Sequence, residues 1–283
     1  MDSSKSTRLS EVYTVGDFKT LGAPPSFNGD EIIVLRCAET IAEVFPDWIS
    51  RAGLTETSLT PFDINCPIEL HMRADMRRAY SVDPPLSELG KVMAKMMGRE
   101  ILERKLVPTV IYATPDLASV ETAAIIQKFI GVDRCAKIRV EPELSTMHRA
   151  AHAFFSRDQF LRMGVGIDVT TAPLKAVTHS AELDNLILRI KRAFYELTTS
   201  QVNALMIVDP LSAKIIGSLF HGIDFKKKAN VEEEHARALL NFPPLSSFST
   251  FRQPGSGNKM YDITPVTLRP LNYTGFSSNI DLD

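Results

Sequence analysis

The sequence has few of the features that mark secreted or membrane-bound proteins. Its 283 residues include three cysteines, Cys37, Cys66 and Cys135, which lie far apart with no CxxC spacing. This pattern favours a reducing compartment over a disulfide framework. No stretch of about 18 uncharged apolar residues occurs, and the N-terminal segment has no apolar run of signal-peptide length. We expect a cytoplasmic protein, with the nucleus as the alternative, and no membrane partner.

The chain also lacks an excess of charge of one sign. Its 32 lysines and arginines nearly balance 34 acidic residues, giving a formal net charge of -2. Without a global positive field, no nucleic-acid partner is expected. A glycine-rich phosphate loop is missing after the first predicted strand, where Cys37, Ala38 and Glu39 stand, and this argues against a dinucleotide-binding sheet. A hydrophobic content of 44% is enough for a full core.

Apolar runs alternate with helical patterns along the chain. Strands buried on both faces read as short continuous apolar runs, and four such runs are present: Glu31 to Leu35, Thr109 to Ala113, Lys137 to Val140 and Ala204 to Val208. Between them, apolar residues recur at spacings of three and four from Leu89 to Leu102 and from Leu183 to Leu197. The alternation predicts an α/β fold, a three-layer α/β/α sandwich around a largely parallel sheet.

Boundary signals agree with this architecture. Ser87 and Ser180 stand where helix N-caps belong, and Gly131 stands where a helix should end. Residues 1–27 have the composition of a flexible N-terminal leader. We predict that residues 28–283 form a single domain. After Asn241 the pattern turns to Ser246 to Arg252 and Lys259 to Ile263, with proline and glycine between them, which predicts an edge strand plus an extended C-terminal tail.

Several segments, in order, resemble the histidine phosphatase superfamily, which has the phosphoglycerate mutase-like fold. Arg36 and Glu39 match the first and last residues of its Arg-His-Gly-Glu hallmark at the end of the first strand. The other matching segments are Asp83 to Gly90 (DPPLSELG), Tyr112 to Ala123, Lys137 to Pro142, Phe242 to Phe248 and Pro265 to Asn272. The set, spread over Asp30 to Phe276, is most similar to the phosphatase domain of the T-cell ubiquitin ligand (suppressor of T-cell receptor signalling) proteins and of insect ecdysteroid-phosphate phosphatases.

The resemblance implies a phosphoryl-transfer site, but its chemical groups are replaced here. That chemistry needs a nucleophilic imidazole, arginines around the phosphate, a second imidazole and an acid. The family's Ser-His-Gly-Ser motif reads Asp209, Pro210, Leu211 and Ser212, which removes the second imidazole. By this alignment no catalytic residue remains, and a vestigial phosphate pocket falls on Arg36, Cys37, Ala38, Thr40, Thr114, Ala118, Thr146, Pro210 and Ser212.

Arg36 is the one pocket arginine that the resemblance retains. It either still holds an anion or pairs with Asp209. Cys37 takes the nucleophile's position, but the arginine that a Cys-x5-Arg phosphatase loop needs is Glu43, so we expect Cys37 to be a small buried hydrophobe.

The remaining chemical residues give weaker patterns. His148 and His152 have i, i+4 spacing but no acidic or cysteine partner at ligand spacing, so no metal site and no cofactor are predicted. His71, His179 and His221 are isolated and receive no role. Lys226 to Lys228 form a basic run that fits a solvated loop, with an acidic partner or nuclear import as alternatives.

The sequence therefore predicts a pseudophosphatase that acts as a protein interaction or regulatory module. Because its relatives in the T-cell ligand group form homodimers, the resemblance implies a homodimer or a heterodimer with an active paralogue. The alternative function is a residual phosphomonoesterase with a non-standard active site, in which Arg36 works with Cys37 or with a recruited histidine such as His148.

Overall fold

A computed structural model of the protein describes residues 31–146, 153–175, 182–199, 203–219, 225, 230–252 and 261–264. Several predictions fall outside these residues. They concern the N-terminal leader, the C-terminal tail, Ser180, His148, His152, His179, His221 and Lys226 to Lys228.

Six strands in the described part of the chain form one sheet. They are β1 (Glu31–Arg36), β2 (Val110–Ala113), β3 (Ile138–Val140), β4 (Ala204–Val208), β5 (Ser247–Arg252) and β6 (Tyr261–Thr264). Their order across the sheet is β3-β2-β4-β1-β5-β6. The first four in this order are parallel, and β5 and β6 add antiparallel pairings. The four apolar runs of the sequence are thus the four adjacent parallel strands, as predicted.

The C-terminal strands differ from the prediction. Both C-terminal segments form strands, where one edge strand and a tail were predicted. The first, β5, lies inside the sheet between β1 and β6, and the second, β6, takes the edge position. The sequence does not show which of them is the edge strand, because a strand that mixes polar and aromatic residues, such as SFSTFR, can lie at the edge or next to it.

Helices flank the sheet on both faces. They are α1 (Ile41–Val44), α2 (Trp48–Arg51), α3 (Met76–Val82), α4 (Glu88–Glu103), α5 (Leu117–Ile130), α6 (Arg157–Arg162), α7 (Leu183–Leu197), α8 (Pro210–Gly217) and α9 (Val231–Asn241), with a 3₁₀ turn at Pro142–Leu144. Ser87 caps α4 as predicted, its hydroxyl accepting the Gly90 N–H at 2.9 Å. Gly131 ends α5 with a φ of 108°. The N-cap position of α7 is Glu182, not Ser180 as predicted, and it makes no side-chain capping bond.

Alternate residues of the strands serve two separate cores. Ile33 and Leu35 face the core that α4 and α5 close, whereas Ile32 and Val34 face the core that α7 and α8 close. A strand has a side-chain period of two, so a sheet covered on both sides needs apolar residues at every position. The three-layer α/β/α sandwich is confirmed. No helix in the described part of the chain is both long enough and apolar enough to cross a membrane.

Glu39 lies close to the first turns of α4 and fixes their position. Its carbonyl oxygen accepts the Ser87 N–H at 3.0 Å, and its carboxylate accepts the Ser87 hydroxyl at 2.6 Å. A Cβ atom built on Gly90 would lie 2.2 Å from the Glu39 carbonyl oxygen. Position 90 therefore admits only glycine without a movement of the backbone, which explains this part of the SELG segment.

We predict that Gly90→Ala destabilises the fold by about 1–3 kcal/mol, because overpacking against a backbone atom must displace α4. The measurement is chemical unfolding followed by circular dichroism. Gly98→Ala in the same helix is the matched control: its new methyl group would lie 3.1 Å from Cβ of the exposed Phe129, a contact that needs a shift of only a few tenths of an ångström. Equal effects of the two substitutions would contradict this account.

Candidate functional site

A cavity of about 260 Å³ opens where the parallel strands end. In the pairing of β1 with β4, Arg36 lies opposite Val208, so Cys37 and Asp209 begin the two loops side by side. Ligands of open α/β sheets bind in this position, beyond the carboxyl ends of the strands. Of the nine residues assigned to the pocket from the sequence, Arg36, Cys37, Thr40, Ala118 and Pro210 line this cavity.

Arg36 is a buried cation, 1% exposed. It forms an ion pair with Glu43, whose side chain is 19% exposed. Its Nη1 also lies 3.4 Å from the Cys37 carbonyl oxygen, while its Nε has no hydrogen-bond partner among the described residues. Burial lowers the pKa of Arg36, and nearby negative groups including Asp209 oppose that shift. Pairing with Asp209, one of the two roles predicted for Arg36, is not its main contact, because the carboxylate with which it pairs belongs to Glu43.

Thr40 and Glu43 form one local structure at the start of α1. The Glu43 N–H donates to the Thr40 hydroxyl at 3.3 Å, and the Thr40 N–H donates to the Glu43 carboxylate at 2.8 Å. This reciprocal arrangement is a capping box. The cap holds the Glu43 carboxylate in the position from which it reaches Arg36.

Cys37 is fully enclosed, with an exposed fraction of 3%. Burial raises the pKa of its thiol to about 12, although the neighbouring Arg36 charge acts in the opposite direction. Only the thiolate attacks phosphorus, so a thiol of this kind is a poor nucleophile at neutral pH.

Asp209 is held by hydrogen bonds rather than by Arg36. The Thr146 N–H and hydroxyl reach its carboxylate at 3.0 and 2.7 Å. The Ser212 N–H donates to it at 2.9 Å, and the Ser212 hydroxyl lies 2.6 Å from it and 2.6 Å from the Leu144 carbonyl oxygen. Thr146 and Ser212 thus lie behind the cavity wall, where they satisfy the N-cap of α8.

Two more of the nine assigned residues also lie outside the lining of the cavity. The Ala38 N–H donates to the Thr122 hydroxyl at 3.0 Å. The Thr114 N–H donates to the Ile207 carbonyl oxygen at 3.1 Å, and its hydroxyl donates to Ser119 Oγ at 2.8 Å. Both residues connect the strand ends to α5.

The charged lining of the cavity is mainly acidic. It contains the carboxylates of Glu43, Asp83, Asp116 and Asp209 together with the Arg36 guanidinium. Glu121, an acidic residue of the matching segment Tyr112 to Ala123, is not among the lining residues. It accepts the Leu86 N–H at 2.8 Å instead. An acidic lining opposes the binding of a phosphate dianion.

Three titratable residues of the cavity were not singled out from the sequence as site residues. Asp116 is the N-cap of α5 and accepts the Ser119 N–H at 3.0 Å; it lies in the matching segment Tyr112 to Ala123, directly before an apolar helical pattern. Asp83 opens the matching segment Asp83 to Gly90 and reaches the cavity from the end of α3, whereas His235 reaches it from α9. No motif marks His235, and neither segment indicates that Asp83 or Asp116 faces the cavity. His71 lies elsewhere, with its ring 6.2 Å from that of Phe155.

Comparisons with known proteins agree with the family resemblance. The chain is 31% identical over 130 residues to ubiquitin-associated and SH3 domain-containing protein A of Mus musculus, which covers 46% of this chain and 20% of that protein. It is 28% identical over 155 residues to the ecdysteroid-phosphate phosphatase of Bombyx mori, which covers 53% of this chain and 23% of that protein. The chain therefore matches about a fifth of the length of these relatives. No protein-family model matches it.

A solved structure shows the same fold. The crystal structure of the Bombyx mori ecdysone phosphate phosphatase in complex with tungstate superposes with a TM-score of 0.66 at 23% identity, over 87% of this chain and 95% of that one. The likeness confirms the α/β fold with a largely parallel sheet, which this chain shares with that phosphatase.

We predict that Glu43→Gln releases Arg36 and gives the cavity measurable affinity for vanadate or phosphate. The amide keeps an oxygen for the capping box but removes the opposing charge, so we also expect a loss of about 1–3 kcal/mol of stability without ligand. Thermal unfolding with and without 10 mM phosphate measures both effects, and the variant should gain more from phosphate than the wild type.

Glu103→Gln is the matched control, because Glu103 pairs with Arg99 on the protein surface. If phosphate stabilised the wild type, the Glu43→Gln variant and this control by equal amounts, Glu43 would not be what keeps anions from Arg36.

A second prediction concerns Cys37. With a pKa of about 12, only about one Cys37 in ten thousand is a thiolate at pH 8. We expect alkylation by iodoacetamide to be at least about a thousandfold slower than for free cysteine, and faster only after unfolding. Mass spectrometry of peptides from the native and denatured protein measures this. Rapid labelling of Cys37 in the folded chain would show that the thiol is activated.

Proposed function

We propose that this chain, which has the histidine phosphatase fold and shares sequence with an ecdysteroid-phosphate phosphatase, is a pseudophosphatase that serves as a protein interaction or regulatory module. The observation that carries the proposal is the ion pair between Arg36 and Glu43. The arginine that a phosphate would need is already neutralised by a carboxylate of the same chain.

The missing groups make hydrolysis by the family's route unfavourable. The loss of one donor that stabilises a developing oxyanion costs about 2.7–4 kcal/mol in an enzyme. Here the two imidazole positions hold Cys37 and Pro210, and two arginine positions hold Thr40 and Ala118. With a protonated thiol at position 37, the covalent phosphoryl intermediate has no nucleophile from that position.

Retention of the fold supports a role that depends on shape. Both cores of the sandwich are closed by buried apolar residues, although the residues at the strand ends have changed. A fold does not by itself imply a reaction, and a surface can be kept when the chemistry is lost. We propose a single domain over residues 28–283 in the cytoplasm, with a protein partner that is a second copy of the chain or an active paralogue.

One observation favours a second candidate function, a residual phosphomonoesterase with a non-standard site. The His235 side chain lines the same cavity as Arg36. An imidazole within reach of a bound phosphate can act as a nucleophile or as a general acid. This alternative requires that the substrate displace Glu43 from Arg36.

Hydrolysis of p-nitrophenyl phosphate by the purified full chain separates the two functions, with the Bombyx mori phosphatase as a positive control. We expect no turnover above the blank and no saturable vanadate binding. Turnover that falls in His235→Ala would support the phosphomonoesterase, and turnover that falls in Cys37→Ser would support a thiol route. A variant with Cys37→His, Ala38→Gly, Thr40→Arg, Ala118→Arg and Pro210→His tests how much of the family's pocket can be rebuilt.

Sedimentation velocity and affinity capture test the interaction role. We expect a dimer, or a complex with a partner that binds saturably to the purified chain. A monomer at all concentrations tested, with no purified partner binding, would contradict the interaction module even if the chain hydrolyses nothing.

A further inference from the structure

The four carboxylates of the cavity differ in their hydrogen-bond and ion-pair partners. Glu43 has Arg36 as its partner. Asp83 pairs with Arg73 at 2.8 Å and accepts the Leu117 N–H at 2.7 Å. Asp209 is surrounded by the donors of Thr146 and Ser212 described above. Asp116 is the exception, and it lies between these groups at the N-terminus of α5.

Asp116 is buried, with an exposed fraction of 4%, and lines the cavity. One carboxylate oxygen, Oδ2, accepts the Ser119 N–H at 3.0 Å. The other, Oδ1, has no hydrogen-bond partner among the described residues. Burial, and then the nearby Asp209, raise the pKa of Asp116, and the adjacent Thr114 and Ser119 hydroxyls oppose that shift. The Thr114 hydroxyl itself donates to Ser119 Oγ at 2.8 Å. A buried carboxylate oxygen without a donor is costly, so this atom favours a ligand that brings one.

The charge of the cavity indicates whether the hydrogen-bond donor for Asp116 Oδ1 should be neutral or charged. One guanidinium and four carboxyl groups line it. Arg36 offsets Glu43, and Arg73 offsets Asp83, whose pKa burial raises to about 7. This leaves the carboxyl groups of Asp116 and Asp209, from which a cationic donor gains where a phosphate loses. A bare metal ion does not fit the arrangement, because in the described part of the chain no three acidic, histidine or cysteine side chains are grouped closely enough to hold one.

The cavity walls indicate what kind of group should carry this donor. They are largely aliphatic and include Ala42, Val82, Pro84, Ala118, Pro210 and Leu239. A cavity of about 150 Å³ accommodates benzene, so about 260 Å³ leaves room for a short aliphatic chain. We propose that this cavity binds a primary ammonium group carried on such a chain, with the ammonium donating to Asp116 Oδ1. The assignment rests on the proposed function, since it requires a cavity that has ceased to accept phosphate.

Two sources supply this chemistry. One is a free alkylamine. The other is the lysine side chain of a protein partner, whose four methylene groups can cross the aliphatic walls while the ammonium reaches Asp116. Both ligands would make the same contacts in the cavity. They differ in that the lysine side chain is attached to a peptide backbone, which the cavity mouth must accommodate.

The test uses the full-length, ¹⁵N-labelled chain titrated by NMR. The probes are n-butylamine for the free amine and Nα-acetyl-lysine-methylamide for the lysine side chain. We expect saturable binding of n-butylamine with a Kd on the order of 1 mM. n-Butyltrimethylammonium, which has the charge but no N–H, and n-butyl phosphate, which has the opposite charge, should bind at least about tenfold more weakly.

Asp116→Asn is the decisive variant because asparagine is an equally good N-cap, so α5 should be retained while the charge is lost. It should weaken n-butylamine binding by about tenfold or more, whereas Glu103→Gln, on the surface, should leave it unchanged. If Asp116→Asn does not fold, the comparison of n-butylamine with n-butyltrimethylammonium decides the matter.

Failure of n-butylamine to bind the folded wild type overturns the inference, as does equal binding by Asp116→Asn or by n-butyltrimethylammonium. Binding of both probes supports a lysine side chain, and binding of n-butylamine alone supports a free amine. If the amine fails to bind and p-nitrophenyl phosphate is not hydrolysed, only the ammonium assignment is lost. Hydrolysis of p-nitrophenyl phosphate would remove the proposed function itself.

Discussion

A guanidinium buried at the end of a central strand needs a carboxylate, and this requirement organises the site. Arg36 lies at the carboxyl end of β1 with its charge withdrawn from water. An unpaired charge in this position would cost several kcal/mol, roughly what the loss of a partner from a buried ion pair costs. Glu43 supplies the charge, and Thr40 holds Glu43 through the capping box at the start of α1. Thr40 and Glu43 together therefore stabilise the buried charge of Arg36.

Carboxylates of the chain also cap the helices that begin at this edge of the sheet. Asp116 caps α5 and Asp209 caps α8. The N-terminus of a helix carries partial positive charge and free N–H groups, which in many proteins hold a phosphate. Here the carboxylates of the chain itself occupy these positions. The N–H groups that could attract an anion are hydrogen-bonded to carboxylates of the chain itself. The remaining cavity therefore favours a cation over an anion.

The sequence predicts the parallel strands and main helices well, because a strand covered on both faces reads as an uninterrupted apolar run. The family resemblance also predicts that Arg36, Cys37 and Ala118 share a pocket with Pro210. It does not predict that Glu43 pairs with Arg36, or that Asp83 and His235 reach the cavity. These contacts depend on how loops and α9 pack in three dimensions, which no local spacing encodes.

The position of Glu43, only seven residues beyond Arg36, affects how well a phosphate can compete for the guanidinium. A carboxylate tethered this closely has an effective concentration at the guanidinium on the order of millimolar or more. Any phosphate from solution competes with a group that never diffuses away, so cellular phosphate esters meet an internal competitor that is always present. The site thus contains its own competing anion, and a change of this one side chain alters the competition between Glu43 and phosphate for Arg36.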